Sequence, residues 1–541
     1  MLSTMQDGQL SLAHLLRHGT TVHANSEVVT WTGEGARRED YGELGQHAAR
    51  LANALRSLGV TGDQRVGTFM WNNAEHMAAY AAVPAMGAVL HTLNIRLFPE
   101  QLVFVANHAE DQVILVDGTL VPLLAKQLPQ LNTVRHVIVA NGDASALEAP
   151  AGVEVHSYDE LLAAQPDTFD WPVVDERAAA AMCYTSGTTG DPKGVAYSHR
   201  SIWLHSMQVC MSDSMRLAQH DKALVIVPMF HAMSWGLPYA ALMVGASLIM
   251  PDRFLQPAPI ARILEAEKPT FAGAVPTIWQ GLLQHLEANP QDISHLREVV
   301  VGGSAAPPSM MHAFEEKYGV PILHAWGMTE TSPLGSVARP PGGVTGEQAW
   351  EYRYTQGRFP ASVRARLITD DGTEAPWDGE SVGELEVSGP WIAGAYYGDN
   401  VDPDKFHDGW LRTGDVGKVT PDGFLTLTDR AKDVIKSGGE WISSVDLENA
   451  VMAHPAVAEA AVIGVPDEKW DERPLVAVVV REGQSVTAAE LREFLADKVA
   501  KWQLPENWTF IDEVPKTSVG KFDKKRLRAF HSEGKLDISK L

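Results

Sequence analysis

Short runs of consecutive hydrophobic residues alternate with segments of helical spacing over most of the first 330 positions. Apolar runs bounded by polar or turn residues are typical of strands buried on both faces of a parallel sheet, with helices between them. This pattern predicts an α/β fold of stacked, mostly parallel sheets. The predicted strands are Arg65–Met70, Gln112–Val116, Ala223–Val227, Ala246–Met250, Thr270–Ala274 and Glu298–Val301, and the predicted helices are Gly42–Leu58, Glu75–Met86, Pro257–Glu267, Thr277–Leu286 and Pro308–Tyr318.

The pattern changes after residue 338. Glycine, proline and acidic residues crowd residues 339–410, which predicts antiparallel strands such as Leu385–Val387 in a small barrel-like subdomain over 339–430. A compact α+β pattern follows. We therefore expect a large N-terminal domain over 1–430 and a small C-terminal domain over 434–541, with the boundary at 431–433. The predicted elements of the small domain are the helices Val445–Ala453 and Ala488–Val499 and the strands Ala458–Ile463 and Leu475–Val480.

Composition narrows the function classes. The chain has 541 residues, of which 45% are hydrophobic and 21% charged, and its net charge is -24. This composition is that of a folded protein, and the acidity argues against a nucleic-acid binder. Two cysteines form neither a disulfide framework nor a zinc site, which favours a reducing compartment such as the cytoplasm. The most apolar stretch, Tyr239–Met250, is too short to cross a bilayer and predicts a buried helix and strand.

The segment Tyr184–Gly194 has the composition of a phosphate-binding loop that follows a strand. Its glycines let backbone N–H groups approach an anion, its hydroxyls can donate to phosphate oxygens, and Lys193 adds a positive charge. The spacing is not that of a Walker A loop. A glycine-rich surface turn is the alternative. The candidate nucleotide-binding residues here are Thr185, Ser186, Gly187, Thr188, Thr189, Gly190 and Lys193.

Two further motifs follow predicted strands. In Val300–Ala306, small residues would let a flat base approach the backbone, although Gly302-x-Ser304-x-Ala306 also approximates the nucleophile elbow of a hydrolase without its last glycine. In His324–Glu330, Trp326 can stack on an adenine ring, and Glu330 offers a hard oxygen ligand for Mg²⁺. A core tryptophan beside a helix cap is the alternative for the second motif.

Together these strings resemble the signatures of the adenylate-forming acyl-CoA synthetase superfamily, which includes fatty acyl-CoA ligases, luciferases and peptide-synthetase adenylation domains. The resemblance runs from about residue 10 to residue 530 and is strongest to bacterial medium- and long-chain fatty acyl-CoA ligases and methylmercaptopropionate-CoA ligase. It implies that ATP, Mg²⁺ and coenzyme A are used, and that a homodimer forms. For the nucleotide site it implies Gly302, Gly303, Ser304, Ala305, His324, Ala325, Trp326, Gly327, Met328 and Thr329, with Thr185 and Glu330 at the metal. Family members usually carry tyrosine at position 326.

The resemblance also assigns roles in the second half of the chain. Asp415 would bind the ribose hydroxyls, Arg430 would contact ribose or phosphate, and Lys432 would be the hinge on which the small domain moves. Lys521 matches the mobile catalytic lysine, which neutralises charge at the α-phosphate. The CoA channel would be formed by Lys436, Ser437, Gly438, Gly439, Glu440 and Trp441. A surface lysine and an exposed charged linker are the alternatives for these segments.

The acyl pocket is the least specified part of the prediction. His231 could orient the carboxylate and Trp235 could gate the pocket, although a histidine at such a position is more often structural. No carboxylate lies in Phe230–Trp235, which disfavours an amino-acid substrate. The remaining pocket candidates are Val301, Gly302, Gly327, Met328 and Pro333.

The resemblance implies an acyl-CoA ligase that acts on a small-molecule carboxylate. We expect a short-to-medium-chain fatty acid, with 3-(methylthio)propionate as a candidate and a long-chain acid as the alternative. A luciferase-like monooxygenase, an adenylation domain that loads a carrier protein, and a non-catalytic nucleotide-binding protein stay open.

Overall fold

The computed structural model describes residues 1, 3–185, 191–398, 402–430, 433–437, 440–467, 469–517 and 520–541, with the backbone alone at Arg430, Glu440 and Trp441. The α-helices in these ranges are α1 Leu12–Val22, α2 Tyr41–Ser57, α3 Ala74–Ala85, α4 Pro99–Ala109, α5 Val121–Ala125, α6 Tyr158–Ala163, α7 His199–Cys210, α8 Leu237–Val244, α9 Pro257–Glu267, α10 Pro276–Ala288, α11 Pro308–Tyr318, α12 Glu347–Arg353, α13 Ser444–Met452, α14 Ala488–Leu495 and α15 Lys524–Ser532.

The strands of the same ranges belong to three sheets. They are β1 Glu27–Trp31, β2 Ala36–Asp40, β3 Arg65–Phe69, β4 Val89–Thr92, β5 Asp111–Asp117, β6 His136–Ala140, β7 Glu154–Ser157, β8 Ala179–Tyr184, β9 Gly194–Ser198, β10 Lys222–Leu224, β11 Ser247–Met250, β12 Phe271–Ala274, β13 Glu298–Val301, β14 Ile322–Gly327, β15 Leu334–Val337, β16 Gly357–Arg358, β17 Arg364–Ile368, β18 Glu374–Ala375, β19 Gly383–Ser388, β20 Phe406–His407, β21 Trp410–Val419, β22 Phe424–Arg430, β23 Ile435–Ser437, β24 Glu440–Ile442, β25 Val457–Asp467, β26 Asp471–Val480, β27 Asn507–Phe510 and β28 Ile538–Lys540.

Two sheets form the large N-terminal domain. The first has the order β7-β6-β5-β3-β4-β8-β9 and is parallel except at the β8–β9 hairpin. The second has the order β18-β17-β19-β21-β22-β16-β15-β14-β13-β12-β10-β11-β1-β2, with β20 on β21. The predicted α/β class is confirmed. The antiparallel strands expected after residue 338 are present, and they continue the second sheet through β15 instead of standing apart from it.

The smaller C-terminal domain has its own sheet, with the order β24-β23-β26-β27-β28 and β25 on β26. Its core consists mainly of apolar residues of β25, β26, α13 and α14, packed with the fully buried Trp508 of β27. Helix α14 begins with a capping box, in which Thr487 and Glu490 each accept a hydrogen bond from the backbone N–H of the other. The helix ends at Leu495, four residues before the predicted end at Val499.

Most predicted elements of the large domain lie within one or two residues of their observed bounds, and α9 and α11 match at both ends. Strand β10 is an exception, because it ends at Leu224 and not at Val227. The side-chain amide of Asn72 donates to the carbonyls of Val225 and Val227 at 2.7 and 2.9 Å. A side chain therefore takes the place that a neighbouring strand would occupy.

The apolar stretch Tyr239–Met250 lies in α8 and β11, and most of its residues are buried in the largest hydrophobic core. Across the part of the chain that the structure describes, no helix is long and apolar enough to cross a membrane. Both cysteines are free thiols. Burial raises the pKa of the Cys183 thiol, and it raises the pKa of the half-buried Cys210 thiol to about 12.

Candidate active site

A cavity of about 430 Å³ lies between the large and small domains. The ends of β13 and β14 border it from the large domain, and the loop before α15 borders it from the small domain. Among its lining residues are these sequence-predicted candidates: Gly303, Ser304, Ala305, His324, Ala325, Trp326, Gly327, Asp415 and Lys521. The cavity therefore brings together residues that are more than 200 positions apart in the chain.

Lys521 lies directly against the glycine turn that follows β13. A Cβ atom built on Gly303 would lie 3.0 Å from Cε and 3.7 Å from Nζ of Lys521, and Gly303 has a left-handed backbone with φ of +86°. Only glycine combines this conformation with so close an approach without strain. The lysine loop is held in place by the hydroxyl of Thr277, which donates to the carbonyl of Gly520 at 3.4 Å. The turn and the lysine therefore fit each other in this domain orientation.

Trp326 and Asp415 are joined by a hydrogen bond. The indole Nε1–H donates to Oδ2 of Asp415 at 2.8 Å, and both side chains are buried. The indole ring packs on Gly335, where a Cβ atom would lie only 2.2 Å from Cζ3. Trp326 thus has a fixed position, and its N–H directs one carboxylate oxygen of Asp415. The sequence predicted a role for each residue but not this contact.

His324 is fully buried beside the turn. Burial lowers its pKa to about 4, against the opposing effect of the nearby backbone of Thr355 and Ser304. The ring is therefore neutral at physiological pH. Its contact to Ser304 is with the backbone and not with the hydroxyl that the nucleophile-elbow alternative would have to activate.

Glu330 lies in a short turn after β14 and accepts a hydrogen bond from the hydroxyl of Tyr396 at 2.6 Å. The carboxylate is buried. The same tyrosine ring lies under Lys193, whose Nζ is 5.1 Å from the ring centroid and 3.5 Å from Oδ2 of Asp402. The positive charge predicted for the phosphate loop and the predicted metal ligand therefore share one neighbour, Tyr396.

The remaining candidates of these motifs have structural contacts. Thr185 pairs with Lys193 across the β8–β9 hairpin, with backbone and hydroxyl bonds of 2.9 and 3.0 Å. The backbone N–H of Met328 donates to the carbonyl of Pro333 at 3.2 Å, and the hydroxyl of Tyr197 donates to the carbonyl of Thr329 at 2.7 Å. These bonds fix the turn that carries Glu330.

One acyl-pocket candidate, Trp235, lies in a strained turn. Residues 232–236 all have positive φ, from +42° at Ala232 to +74° at Gly236. A left-handed conformation costs roughly 1–2 kcal/mol for each non-glycine residue. Gly236 is required by packing as well, because a Cβ atom there would lie 2.5 Å from Nδ1 of His205. Strain of this kind persists only where the surroundings enforce it, and it is concentrated at functional sites.

This turn presents Trp235 to the ends of two strands. A Cβ atom on Gly302 or Gly273 would lie 3.2 or 3.4 Å from the indole ring, so both glycines make room for it. His231 lies just before the turn and is partly buried. Burial lowers the pKa of His231 to about 3, and the charges of Lys521 and Arg96 act in the same direction. The imidazole is therefore neutral and feels the charge of the predicted catalytic lysine.

In the predicted CoA segment, the described residues Lys436 and Ser437 do not line the cavity. Lys436 is exposed on β23, with its backbone N–H bonded to Glu472 at 2.9 Å, and Ser437 accepts a hydrogen bond from Arg473 at 3.1 Å. Some predicted residues lie outside the described part of the chain, namely Ser186, Gly187, Thr188, Thr189, Gly190, Lys432, Gly438 and Gly439, as do the side chains of Arg430, Glu440 and Trp441.

A buried polar network at the domain boundary was missed by sequence reasoning. Asp429 accepts hydrogen bonds from the backbone N–H and hydroxyl of Ser444 at 2.8 and 2.5 Å. Lys524 donates to that hydroxyl and lies 2.8 Å from Oε1 of Glu448. The network ties the end of β22 to α13 and α15. Tyr396 was missed too, since a tyrosine in a glycine-rich loop carries no positional signal.

Comparison with known families decides the assignment. Residues 16–397 match the family described as AMP-binding enzyme, and residues 446–521 match the AMP-binding enzyme C-terminal domain. The chain belongs to the AMP-binding enzyme family. The resemblance inferred from the motifs is thereby confirmed, and the cavity at Gly303 and Asp415 is the part of this family member in which its motifs converge.

Two curated relatives cover nearly the whole chain of this AMP-binding enzyme. It is 44% identical over 533 residues to a 3-methylmercaptopropionyl-CoA ligase of Ruegeria lacuscaerulensis, a match that spans 98% of either chain. It is 44% identical over 535 residues to a long-chain-fatty-acid–CoA ligase of Thermus thermophilus, which covers 97% of this chain and 96% of the relative. Equal identity to relatives named for different acids does not select a substrate.

A solved structure supports the fold. The crystal structure of the anthranilate CoA ligase AuaEII in complex with anthranoyl-AMP superposes with a TM-score of 0.87, covers 98% of both chains and is 24% identical. The arrangement of a large α/β domain and a small C-terminal domain is therefore shared with this ligase.

Proposed function

We propose that this AMP-binding enzyme is an ATP-dependent acyl-CoA ligase. The observation that carries the proposal is the position of Lys521, which reaches from the small domain into the cavity formed by the turn at Gly303, the indole of Trp326 and the carboxylate of Asp415. In the first half-reaction, the carboxylate of the acid attacks the α-phosphorus of ATP. A P–O bond forms to the acid, the bond to pyrophosphate breaks, and acyl-AMP remains.

The proposed role of each residue follows from the charge or the ring that it provides. The attack brings a carboxylate and a triphosphate together, and negative charge grows on the oxygens of the α-phosphate. Lys521 and Lys193 supply the positive charges that oppose this repulsion. Asp415 provides carboxylate oxygens for the ribose hydroxyls, and Trp326 provides an aromatic surface for the base.

Glu330 and Thr185 fit a magnesium ion by their chemistry. Carboxylate and hydroxyl oxygens are the hard donors that Mg²⁺ prefers, and Tyr396 holds one oxygen of the buried Glu330 in place. When bound, the ion would reduce the negative charge of the triphosphate.

The second half-reaction needs a different arrangement. The sulfur of CoA attacks the acyl carbon of acyl-AMP, a C–S bond forms, and AMP leaves with the electrons of the C–O bond. In the described orientation Lys521 lines the cavity and Lys436 does not. We therefore assign this orientation to acyl-AMP formation and propose that rotation about Lys432 exchanges the two segments. One site can then serve two steps whose charge requirements differ.

The acid is proposed to be a short-to-medium-chain fatty acid or 3-(methylthio)propionate. Trp235 fills the space beside Gly273 and Gly302, which limits the room for an acyl chain in this conformation. His231 is neutral and can share a hydrogen bond with a carboxylate. A long-chain acid is the second candidate, favoured by the identity to the Thermus thermophilus relative.

Pyrophosphate and AMP release with ATP, Mg²⁺, CoA and a panel of acids from acetate through palmitate, with 3-(methylthio)propionate included, tests this function. We expect CoA-dependent AMP release with the shorter acids. Acyl-AMP that is passed only to a holo-carrier protein would favour the carrier-loading alternative, and light emission with oxygen uptake would favour the luciferase-like one. Absence of pyrophosphate release with every acid would refute the proposal. The homodimer and the cytoplasmic location stay predictions.

A further inference from the structure

Two histidines and a glutamate converge at an edge of the first sheet, outside the catalytic cavity. His136 lies on β6, and Glu154 and His156 lie on β7, which ends the strand order. The strands are parallel, and the register places His136 beside Glu154 and Ile138 beside His156. Because side chains alternate along a strand, His136, Glu154 and His156 share one face of the sheet.

The distances between their ligand atoms suit a small metal ion. Nδ1 of His136 lies 3.2 Å from Nε2 of His156. The carboxylate oxygen Oε2 of Glu154 lies 3.7 Å from the first nitrogen and 3.9 Å from the second. Two nitrogens bound tetrahedrally to zinc at about 2.0–2.1 Å lie roughly 3.3 Å apart. The two imidazoles already have about this separation, at which they also share a hydrogen bond.

The position of the carboxylate favours a metal over a hydrogen-bonded triad. A carboxylate that accepted a hydrogen bond from either ring would lie at about 2.7–3.2 Å from its nitrogen. Oε2 of Glu154 is beyond this distance from both rings, and its exposed side chain has room to turn toward an ion that both rings would bind. The histidine side chains are 19% and 20% exposed and Glu154 is 72% exposed, so solvent has access from one side.

We propose that His136, Glu154 and His156 form a site for a divalent transition metal, with Zn²⁺ as the probe of choice. Two imidazoles and one carboxylate suit zinc, nickel or copper, whereas magnesium and calcium prefer oxygen-only sites. The bound ion would join the edge strand β7 to β6 through side chains as well as through the backbone. None of the three residues lines the cavity that contains Lys521, so the metal acts on the stability of this edge and not on the acid-activating chemistry.

Zinc titration of the full chain tests the proposal. The protein is first treated with a chelator, and Zn²⁺ alone is then titrated by calorimetry into the wild type, the double variant His136→Gln/His156→Gln and the control His14→Gln, which changes an exposed histidine of α1. We expect one equivalent per wild-type chain, at least a tenfold loss of affinity in the double variant, and no change in the control.

A second variant and a second measurement distinguish loss of the metal site from loss of the folded structure. Glu154→Gln changes an exposed side chain and is expected to weaken zinc binding severalfold. Zinc should raise the thermal midpoint of the wild type and leave that of the double variant unchanged, while pyrophosphate release with Mg·ATP and acid stays at the wild-type rate in all variants. Equal zinc affinity in the wild type and the double variant, or no binding to the wild type, would overturn the proposal.

Discussion

The indole N–H of Trp326 on β14 donates a hydrogen bond to Oδ2 of Asp415 on β21 at 2.8 Å, although three strands separate the two in the order of the second sheet. Trp326, which was proposed for its flat aromatic surface, thus also orients the carboxylate that is proposed to bind ribose. One substitution can separate these two contributions.

Trp326→Phe keeps an aromatic surface and removes the N–H donor. A hydrogen bond to a charged group contributes about 1.5–3 kcal/mol, so we expect kcat/KM for ATP to fall by roughly 10- to 100-fold. Pyrophosphate release at varied ATP concentration measures the effect. Trp350→Phe, which alters a tryptophan stacked on His312, is the matched control and should stay within about twofold of the wild type. An unchanged KM and kcat in Trp326→Phe would contradict a role in holding Asp415.

Lys521→Ala should abolish acyl-AMP formation and spare the second half-reaction. Loss of one preorganised charge at the α-phosphate is expected to lower the first step by at least about 10²- to 10³-fold. Thioester formation from supplied acyl-AMP and CoA should remain close to wild type. Lys535→Ala, at an exposed lysine paired with Glu533, serves as the control. If both half-reactions fell equally in Lys521→Ala, the assignment of the lysine to the first step would be wrong.

Tyr396→Phe removes the hydroxyl that holds Glu330. Partners that orient a metal ligand typically contribute 10- to 100-fold to metal affinity or activity. We therefore expect the half-saturating Mg²⁺ concentration for pyrophosphate release to rise by about tenfold. The neighbouring substitution Tyr397→Phe leaves Glu330 untouched and provides the comparison. The same magnesium dependence in both variants would show that the hydroxyl does not position the carboxylate.

Trp235→Ala should shift the acid preference toward longer chains. The indole fills space beside Gly273 and Gly302, so its removal opens the volume that limits the acyl chain. The ratio of kcat/KM for decanoate to that for butyrate is expected to rise by at least about tenfold. The same ratio in Trp235→Phe should lie between those of Trp235→Ala and the wild type. A uniform loss with all acids would assign Trp235 to packing alone.

Acid should destabilise the folded chain below the ordinary pKa of histidine. Burial lowers the pKa of His76, His199 and His324 to about 4 and that of His205 and His231 to about 3. The unfolded chain therefore binds protons near pH 6.5 that the folded chain does not. The free energy of unfolding should fall by up to about 1.4 kcal/mol per histidine for each pH unit below 6.5.

Denaturant midpoints measured between about pH 7.5 and about pH 5.5 test this expectation. His205→Gln removes one of these groups and should make the dependence shallower. A denaturant midpoint that stays constant or rises as the pH is lowered would show that the histidines titrate normally in the folded state.

Much of the fold and many site candidates could be predicted from the sequence. The helices at Pro257–Glu267 and Pro308–Tyr318 begin at proline and have clear hydrophobic spacing, so both were bounded correctly. Lys521 and Asp415 became candidates because each stands in a motif, and both line the cavity. Contacts between motifs were not predictable, since Tyr396 reaches Glu330 only after the chain has folded. The left-handed turn at Trp235 was missed for a related reason, because four of its five residues have no intrinsic preference for positive φ.

The two native thiols have a practical consequence. Cys183 is buried, and the pKa of Cys210 is raised to about 12, so neither has an appreciable thiolate fraction at neutral pH. The unmodified chain should thus be nearly unreactive toward maleimide reagents. Cysteines introduced on exposed positions of the two domains could carry a donor and an acceptor dye without prior removal of the native ones. Single-molecule energy transfer would then test directly whether the small domain passes between the two proposed orientations during turnover.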